Sequence, residues 1–126
     1  MQELQVKIKW PHRLEKKFTK EWLNLLENKW YPVDKVSDWS IWTKKVDCYI
    51  FTDVASYICE IKVIASDIFK ISQLRDNQYS FLKRNLKLNW KPIVTVYSKK
   101  YNDYKIIPFE FIVSKDRNDR IKLQFN

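Results

Sequence analysis

Three charged residues that could act together on a phosphate lie within one apolar stretch of the sequence: Asp47, Glu60 and Lys62. Carboxylate oxygens are ligands that Mg²⁺ prefers, and a lysine ammonium can hold a phosphate oxygen. The surrounding stretch, residues 46–64, reads VDCYIFTDVASYICEIKVI and contains two runs of β-branched and aromatic residues. Such runs predict two strands, whose pairing must bring the three side chains together for this chemistry to occur.

The two predicted strands cover residues 46–52 and 55–64, and Asp53–Val54 forms the turn between them. Aspartate suits this turn because it tolerates tight-turn conformations and the chain has no glycine. An antiparallel hairpin that closes symmetrically about the turn places Asp47 directly opposite Glu60. Directly opposed residues have Cβ atoms roughly 4.5–5.5 Å apart. Two carboxylates that close repel each other unless a cation lies between them.

The three charged residues share one face of the predicted hairpin, because side chains alternate along a strand and Lys62 follows Glu60 by two positions. Three apolar residues lie beside them on that face: Tyr49, Phe51 and Ile58. The opposite face is apolar throughout and is predicted to be core: it carries Val46, Cys48, Ile50, Cys59, Ile61 and Val63. A charged triad on a half-apolar face conflicts with the pattern of a buried strand, and such conflicts tend to mark functional sites.

The order of an aspartate, twelve intervening residues and Glu-Ile-Lys resembles the core of the PD-(D/E)XK nucleases. In that family the two acids bind a divalent metal ion, and the lysine positions or activates the attacking water. KKVDCYIF (44–51) and YICEIKVI (57–64) are similar to the archaeal Holliday-junction resolvases. DIFKISQLRDNQYSFLKRN (67–85) and PIVTVYS (92–98) are similar to bacterial resolvases of the RecU kind. Val46 stands where the name-giving proline would be, a position at which many members vary.

This resemblance implies a fold and an activity. The fold is an α/β (mixed α+β) restriction-endonuclease-like core, with a central mixed β-sheet flanked by helices. The length of 126 residues predicts a single domain over 1–126. The implied activity is a Mg²⁺- or Mn²⁺-dependent endonuclease that acts on branched DNA, above all the four-way junction. Because a junction is two-fold symmetric and is cut twice, the resemblance also implies a homodimer.

Three other functions stay open at this point. One is a nuclease of the same superfamily that cuts linear or single-stranded DNA. Another is a non-catalytic nucleic-acid-binding protein, in which aromatic residues and positive charge form the binding surface. The last is a structural or interaction protein that keeps the fold with a decayed site. The acid pair argues against pure binding, because two carboxylates facing each other near DNA would repel its phosphates.

A first helix is predicted from Leu14 to about Asn28, with Leu14, Phe18, Trp22 and Leu25 on its apolar stripe. Glu15 and Glu21 border that stripe. In the resembled resolvases a glutamate of the first helix completes the metal site, so each is a candidate metal ligand. Alignment through the leucine pair favours Glu21, whereas position in the first turn favours Glu15. The alternative is that both simply edge the stripe.

A second helix is predicted from about Ser72 to Asn85, with Ile71, Leu74, Phe81 and Leu82 on its buried stripe. Gln78 falls near the middle of that stripe, where a glutamine needs hydrogen-bond partners. In the resembled nucleases a glutamine on this helix often faces the active site, which makes Gln78 a candidate catalytic residue. A satisfied core glutamine is the alternative.

The formal net charge of +9 points to a polyanionic partner, nucleic acid before acidic membrane. Candidate DNA-binding residues are Lys44, Lys45, Arg75, Lys83 and Arg84; for each, a solvated charge is the alternative. No apolar run approaches the ~20 residues of a membrane span, and the N-terminus lacks the apolar segment of a signal peptide. We therefore expect an intracellular protein. The abundance of lysine, asparagine and isoleucine hints at a virus or mobile element.

The remaining predictions concern the cysteines and the rest of the chain. Two cysteines cannot form a tetrahedral zinc site, and reduced thiols are favoured over a cross-strand disulfide in an intracellular protein. Further strands are predicted over residues 4–10, 38–43 and 92–98, the last of them buried. A turn is predicted at Asn102–Asp103, and residues 121–125 alternate in polarity.

Overall fold

A computed structural model of the protein describes residues 14–28, 33–35, 46–52 and 54–125. The strands predicted over 4–10 and 38–43 lie outside these residues, as do the candidate DNA-binding residues Lys44 and Lys45. Glu15 lies in the first helix, where the structure describes only its backbone.

The described residues form three α-helices, a short 3₁₀ turn and seven strands. The helices are α1 (Leu14–Asn28), α2 (Asp76–Asn85) and α3 (Phe109–Val113), and the 3₁₀ turn is Ile71–Gln73. The strands are β1 (Val33–Lys35), β2 (Cys48–Phe51), β3 (Ser56–Ile64), β4 (Ile68–Lys70), β5 (Trp90–Ser98), β6 (Asp103–Pro108) and β7 (Arg120–Lys122). The predicted first helix and the buried strand over 92–98 are both confirmed.

Five strands form one mixed sheet in the order β1-β2-β3-β5-β6. Strands β3 and β5 run parallel, whereas the other neighbouring pairs are antiparallel. A parallel pair needs a long crossover connection, and here the crossover contains β4, the 3₁₀ turn and α2. Strands β4 and β7 pair separately as a two-stranded antiparallel ladder. The predicted central mixed sheet flanked by helices is therefore present.

The β2–β3 hairpin has the predicted register, with Cys48 directly opposite Cys59. One part of the predicted alternation is wrong. The chain bends at Asp47, before β2 begins, so Val46 does not follow the period of the strand. Val46 is buried on the other face of the sheet, in the same cluster as Ile58. The bend thus moves Val46 away from the face that carries Cys48.

Helix α1 covers one face of the sheet, through its buried residues Phe18, Trp22, Leu23 and Leu26. The sheet residues of the same cluster are Cys48, Ile50, Tyr57, Cys59, Ile61, Ile93, Tyr97 and Tyr104. Phe18 stacks on Tyr97 with the ring centroids 4.8 Å apart. We call this side the α1 face; it contains the odd-numbered residues of β3.

The opposite side, which we call the α2 face, is covered by α2, α3 and the β4–β7 ladder. Its fully buried members include Leu74, Leu82, Val94, Val96 and Phe109. It contains the even-numbered residues of β3, so β3 has a core on both of its sides. Such two-sided burial is typical of a strand that pairs in parallel within an α/β sheet.

The second helix begins later than the apolar stripe predicts. Ile71 and Leu74 are fully buried as expected, but Leu74 has an extended backbone (φ −75°, ψ 122°) and α2 starts at Asp76. Arg117 stabilises this break, because its guanidinium donates to the carbonyl oxygens of Ile71 and Leu74, both at 3.0 Å. It also lies 4.3 Å from the centre of the Tyr79 ring. The two hydrogen bonds join residues more than forty positions apart, so no local pattern in the sequence indicates them.

The turn predicted at Asn102–Asp103 is present between β5 and β6. Asn102 has a positive φ of 47°, a conformation that normally favours glycine. Asparagine is one of the few other residues that tolerate it, which suits a chain without glycine.

Candidate functional site

Asp47 and Glu60 meet at the end of the β2–β3 hairpin that lies away from its turn. The backbone N–H of Asp47 donates to the carbonyl oxygen of Cys59 at 3.0 Å, although Cys59 already pairs with Cys48. The regular register therefore ends at Cys48, and the prediction that Asp47 pairs directly opposite Glu60 is wrong. The N–H of Ile61 donates to Asp47 Oδ2 at 2.7 Å. The Asp47 carboxylate is therefore held against β3, beside the residue that follows Glu60.

Glu60 is almost completely buried, with 2% of its surface exposed. Burial raises the pKa of the Glu60 carboxyl well above its usual range, and the hydrogen bond and charge of Asp47 raise it further. Glu60 Oε2 has no hydrogen-bond partner among the described residues. A buried carboxylate oxygen without a partner is costly, so this position calls for a proton or for a cation.

The two carboxylates fit a divalent cation. An unpartnered buried oxygen facing a second carboxylate is the donor set that a hard ion such as Mg²⁺ prefers. Within the described ranges, no cluster of three or more histidine, cysteine, aspartate or glutamate side chains could hold a metal ion. Among the described residues, Asp47 and Glu60 would therefore supply two carboxylate ligands, and any further ligands of a metal ion would come from elsewhere.

Lys62 lies one strand period beyond Glu60, on the same face of β3, and is partly exposed. Its positive charge lowers the pKa of Glu60 and so offsets a part of the effect of burial. The lysine is therefore near enough to the acid pair to interact with it electrostatically, while its exposure leaves it accessible to a substrate. The structure thus brings the three residues of the predicted triad together.

Glu21 is not brought to this pair. Its carboxylate forms an ion pair with Lys17 at 3.4 Å, one turn earlier on α1. It also lies near Tyr97 of the α1 face: burial raises the pKa of that tyrosine, and the charge of Glu21 adds to the rise. Since Glu60 belongs to the opposite face, these contacts of Glu21 do not join it to the acid pair, and its role as a metal ligand remains a prediction. The side chain of Glu15 is not among the described ones.

Gln78 is buried, with 4% of its surface exposed. Its Oε1 accepts the backbone N–H of Arg75 at 3.0 Å, which satisfies a free donor at the start of α2. This capping bond is a partner that the sequence did not predict. A role for Gln78 in catalysis remains a prediction.

The candidate DNA-binding residues on α2 are exposed. Arg75 stands at the N-cap, and Lys83 and Arg84 lie in the last turn. Cations in the last turn also interact favourably with the helix dipole, so Lys83 and Arg84 have a structural role available besides DNA binding.

An aromatic cluster lies beside the acid pair, and only a part of it was predicted. Tyr49 and Phe51 follow Asp47 on the same strand face, as expected, and Trp90 of β5 packs edge-on against both. The ring centroids lie 5.4 Å apart for Tyr49–Trp90 and 5.7 Å apart for Phe51–Trp90. No local pattern indicates this place for Trp90, because its position depends on the parallel pairing of β3 with β5.

The two cysteines lie on the α1 face, away from the acid pair, and both thiols are free. Burial raises the pKa of the Cys59 thiol, and the neighbouring Cys48 contributes to the rise. Cys59 Sγ lies 3.4 Å from Thr95 Oγ1. A buried thiol with a raised pKa stays protonated and is a weak nucleophile. The cysteines therefore act as small core residues.

Strand order and strand directions define the class of fold as restriction-endonuclease-like. Among solved structures, the chain is similar to Hjc from Archaeoglobus fulgidus, a Holliday junction resolvase of an archaeal hyperthermophile. The TM-score is 0.65, and the match covers 84% of this chain and 85% of that chain at 12% sequence identity. At this identity the likeness establishes a shared fold, and the predicted fold class is confirmed.

No family model and no curated protein sequence matches the chain. None of the helices in the described ranges has the length and apolar character that crossing a bilayer requires.

Proposed function

We propose that the protein is a divalent-metal-dependent endonuclease that hydrolyses phosphodiester bonds of branched DNA, with the four-way junction as its main substrate. The observation that carries the proposal is Glu60, a buried carboxylate that faces Asp47 with one unpartnered oxygen. Leaving such a group unpaired costs about 1–3 kcal/mol or more, which a purely structural role would not explain. The fold supports the same activity, because the solved structure it resembles is named as a Holliday junction resolvase.

In this proposal Asp47 and Glu60 would hold Mg²⁺ or Mn²⁺. When bound, such an ion stabilises charge on the scissile phosphate and makes water a stronger nucleophile. The bond from Ile61 N–H fixes the orientation of Asp47, so this carboxylate is preorganised for its role. The ammonium of Lys62 orients the attacking water or holds a phosphate oxygen. Gln78 and one of the two α1 glutamates are further candidates that rest on the resemblance alone. Of the two glutamates, we favour Glu15 over Glu21.

The substrate and the assembly are part of the same proposal. The net charge of +9 favours a polyanion, and the candidate contacts to its backbone are Lys44, Lys45, Arg75, Lys83 and Arg84. A four-way junction has two-fold symmetry and needs two cuts, so we expect two copies of the chain to act on it together inside the cell.

The test is cleavage of a labelled four-way junction, beside a linear duplex and a single strand, with Mg²⁺, with Mn²⁺ and with EDTA. The native protein is compared with Glu60→Gln and Lys62→Ala. Glu110→Gln is a matched control, because it removes the same charge from an exposed position of α3. We expect paired, metal-dependent cuts on the junction by the native protein and the control, and none by the other two variants.

Each other result points to a different conclusion. Metal-dependent cutting of linear or single-stranded DNA alone would keep the nuclease and discard the junction. Binding of DNA without cutting under any of these conditions would overturn the enzyme in favour of a binding protein.

A further inference from the structure

A second polar feature of the molecule lies at the carboxyl ends of the parallel strands β3 and β5. It is an open cavity of about 600 Å³, which we call the ladder groove because the β4–β7 ladder forms one of its sides. Its principal lining residues are Ile64, Ser66, Lys70, Gln73, Lys99 and Arg120. In open α/β sheets, ligands bind preferentially outside the carboxyl ends of the strands.

The ladder groove is strongly basic. Three of its lining residues are cations, from three separate parts of the chain, and none of its lining residues is acidic. Lys70, Lys99 and Arg120 have no ion-pair partner among the described residues. The acid next to Arg120 in sequence, Asp119, uses its carboxylate to accept the backbone N–H of Asp116 at 3.1 Å.

Two of these cations are placed where they repel each other. Lys70 and Arg120 are directly opposed in the β4–β7 ladder, and both side chains are exposed. Directly opposed like charges destabilise a strand pair. The neighbouring exposed residue of the ladder is again a cation, Lys122. A polar pattern that works against the local fold, and whose three cations form no ion pair among the described residues, indicates an anionic ligand.

The ladder groove also lies at the end of β3, the strand that carries the candidate catalytic residues Glu60 and Lys62. Val63, directly after Lys62, is the first of its lining residues, and Ile64 ends the strand. At about 3.3 Å per residue, the groove begins roughly 10 Å beyond Glu60 along β3. This is about three nucleotide steps at the 3.4 Å rise of one DNA strand. A strand whose phosphate lay at the acid pair would therefore reach the groove within a few nucleotides.

We infer that the ladder groove binds the phosphate backbone of a DNA strand as it leaves the acid pair, through Lys70, Lys99 and Arg120. That the bound strand is the one being cut rests on the proposed function, whereas the binding of DNA by the groove does not. Contacts of this kind carry no sequence information and fix the position of the nucleic acid. An anionic membrane is the less suitable partner, because the basic side chains line a concavity and no large exposed apolar residue accompanies them there.

The test measures DNA affinity in EDTA, where a metal-dependent enzyme cannot cut. The variant Lys99→Gln/Arg120→Gln removes two positive charges from the groove. Its matched control, Lys16→Gln/Lys20→Gln, removes two from the exposed side of α1. We expect the groove variant to bind a labelled junction on the order of tenfold more weakly. The slope of log affinity against log salt should fall by about two, since each lost phosphate contact lowers it by about one. The control should change the slope far less.

Thermal unfolding shows whether the groove variant keeps its fold. Its melting temperature should be unchanged or slightly raised, because the substitution relieves the repulsion between Lys70 and Arg120. A salt slope equal to that of the control would overturn the ladder groove as a DNA site. So would a loss of binding to vesicles rich in phosphatidylserine with unchanged DNA binding. Absence of cleavage with Mg²⁺ would overturn the proposed nuclease, but the slopes in EDTA would still decide on the groove.

Discussion

Strand β3 is buried on both sides, yet its two faces carry different chemistry. On the α1 face its residues are Tyr57, Cys59, Ile61 and Val63, an apolar row packed beneath a helix. On the α2 face the order is Ile58, Glu60, Lys62 and Ile64, in which two charged residues interrupt the apolar row. Glu60 is nevertheless nearly as buried as Cys59, with 2% against 0% of its surface exposed.

This difference separates what burial requires from what function requires. On its α1 face, β3 follows the rule that buried side chains are apolar, and the free thiol of Cys59 obeys the rule as a small hydrophobic group. On its α2 face, β3 breaks the rule at Glu60, where a buried carboxylate faces another carboxylate and one of its oxygens has no partner within the described residues. The charges on the α2 face of β3 do not stabilise the fold, and the proposed metal site would account for them.

The largest effect that would sharpen this comparison is on DNA cleavage. Asp47→Asn and Glu60→Gln should each lower metal-dependent cleavage by about a thousandfold or more, because each removes a charge that would hold the metal ion. Cys59→Ala, one position away on the opposite face, should keep cleavage within a few-fold. The measurement is single-turnover cleavage of a labelled junction. Equal losses in all three variants would mean that the α2 face has no special role.

The next largest effect is on the free energy of unfolding, and it tests how tightly each face of β3 is packed. Ile61→Ala on the α1 face and Ile58→Ala on the α2 face should each lower the free energy of unfolding by about 2–5 kcal/mol. Both side chains are at most 1% exposed, so each substitution leaves a buried cavity. Urea unfolding followed by circular dichroism gives the two values. A cost below about 1 kcal/mol at Ile58 alone would show that the α2 face is loosely packed around the acid pair.

A smaller effect is a gain in the free energy of unfolding, expected for a substitution of Glu60 in the absence of metal. Because its pKa is raised in the folded protein, the native carboxyl holds a proton over a pH range in which the unfolded chain has lost it. Native stability therefore falls as pH rises from the ordinary glutamate value to the raised one. The Glu60→Gln variant has no proton to lose at this position. Its free energy of unfolding should therefore rise relative to that of the native protein through this pH range, and the gain should be about 1–3 kcal/mol at pH values above the range.

This gain is measured as the difference in urea unfolding between the two proteins in EDTA, from about pH 4 to pH 9. Glu110→Gln, at an exposed position, should show no such trend. A difference between Glu60→Gln and the native protein that stayed flat with pH would contradict the electrostatic account of the acid pair.

The smallest effect lies at the tip of the hairpin that carries both faces. Val54 is 87% exposed, so Val54→Thr should change the free energy of unfolding by no more than about 0.5 kcal/mol. It should also leave cleavage unchanged, because the tip lies at the far end of the hairpin from Asp47. A thermal melt and the same cleavage assay measure both. A clear loss of cleavage in this variant would place part of the site at the tip.

Elements with strong local periodicity could be predicted from the sequence. The register of Cys48 with Cys59 follows from strict alternation and from a turn that closes at one place, since a slip by one residue would turn the apolar row outwards. Helix α1 was predictable because its apolar residues recur at helical spacing over four turns. The same alternation is sufficient to predict that Glu60 and Lys62 share one face, whereas Asp47 reaches Glu60 from the bend that precedes β2.

Features that depend on distant contacts could not be predicted. Strands β4 and β7 have three residues each and lie about fifty positions apart, so neither has enough alternation to stand out. The break at Leu74 depends on Arg117, more than forty positions away. Within the site, the sequence could not place Glu21, because the spacing on a helix says which side chains share a stripe and not which face of a sheet that stripe covers. The capping bond of Gln78 is local and was missed for a different reason: Arg75, three residues earlier, lacks the side-chain oxygen that normally marks an N-cap.

The two acids are brought together by a hairpin of residues close in the sequence, whereas their burial depends on residues far apart in the sequence. Asp47 meets β3 across a hairpin, and hairpins form in about 1–10 μs. The α2 face closes only when β5 pairs with β3 in parallel, across the whole crossover that contains α2. In a chain whose hairpin forms before β5 pairs, the two carboxylates would face each other in water, and the cost of dehydrating them would fall on the later step of folding. Divalent cations should accordingly speed this late step and leave hairpin formation unchanged.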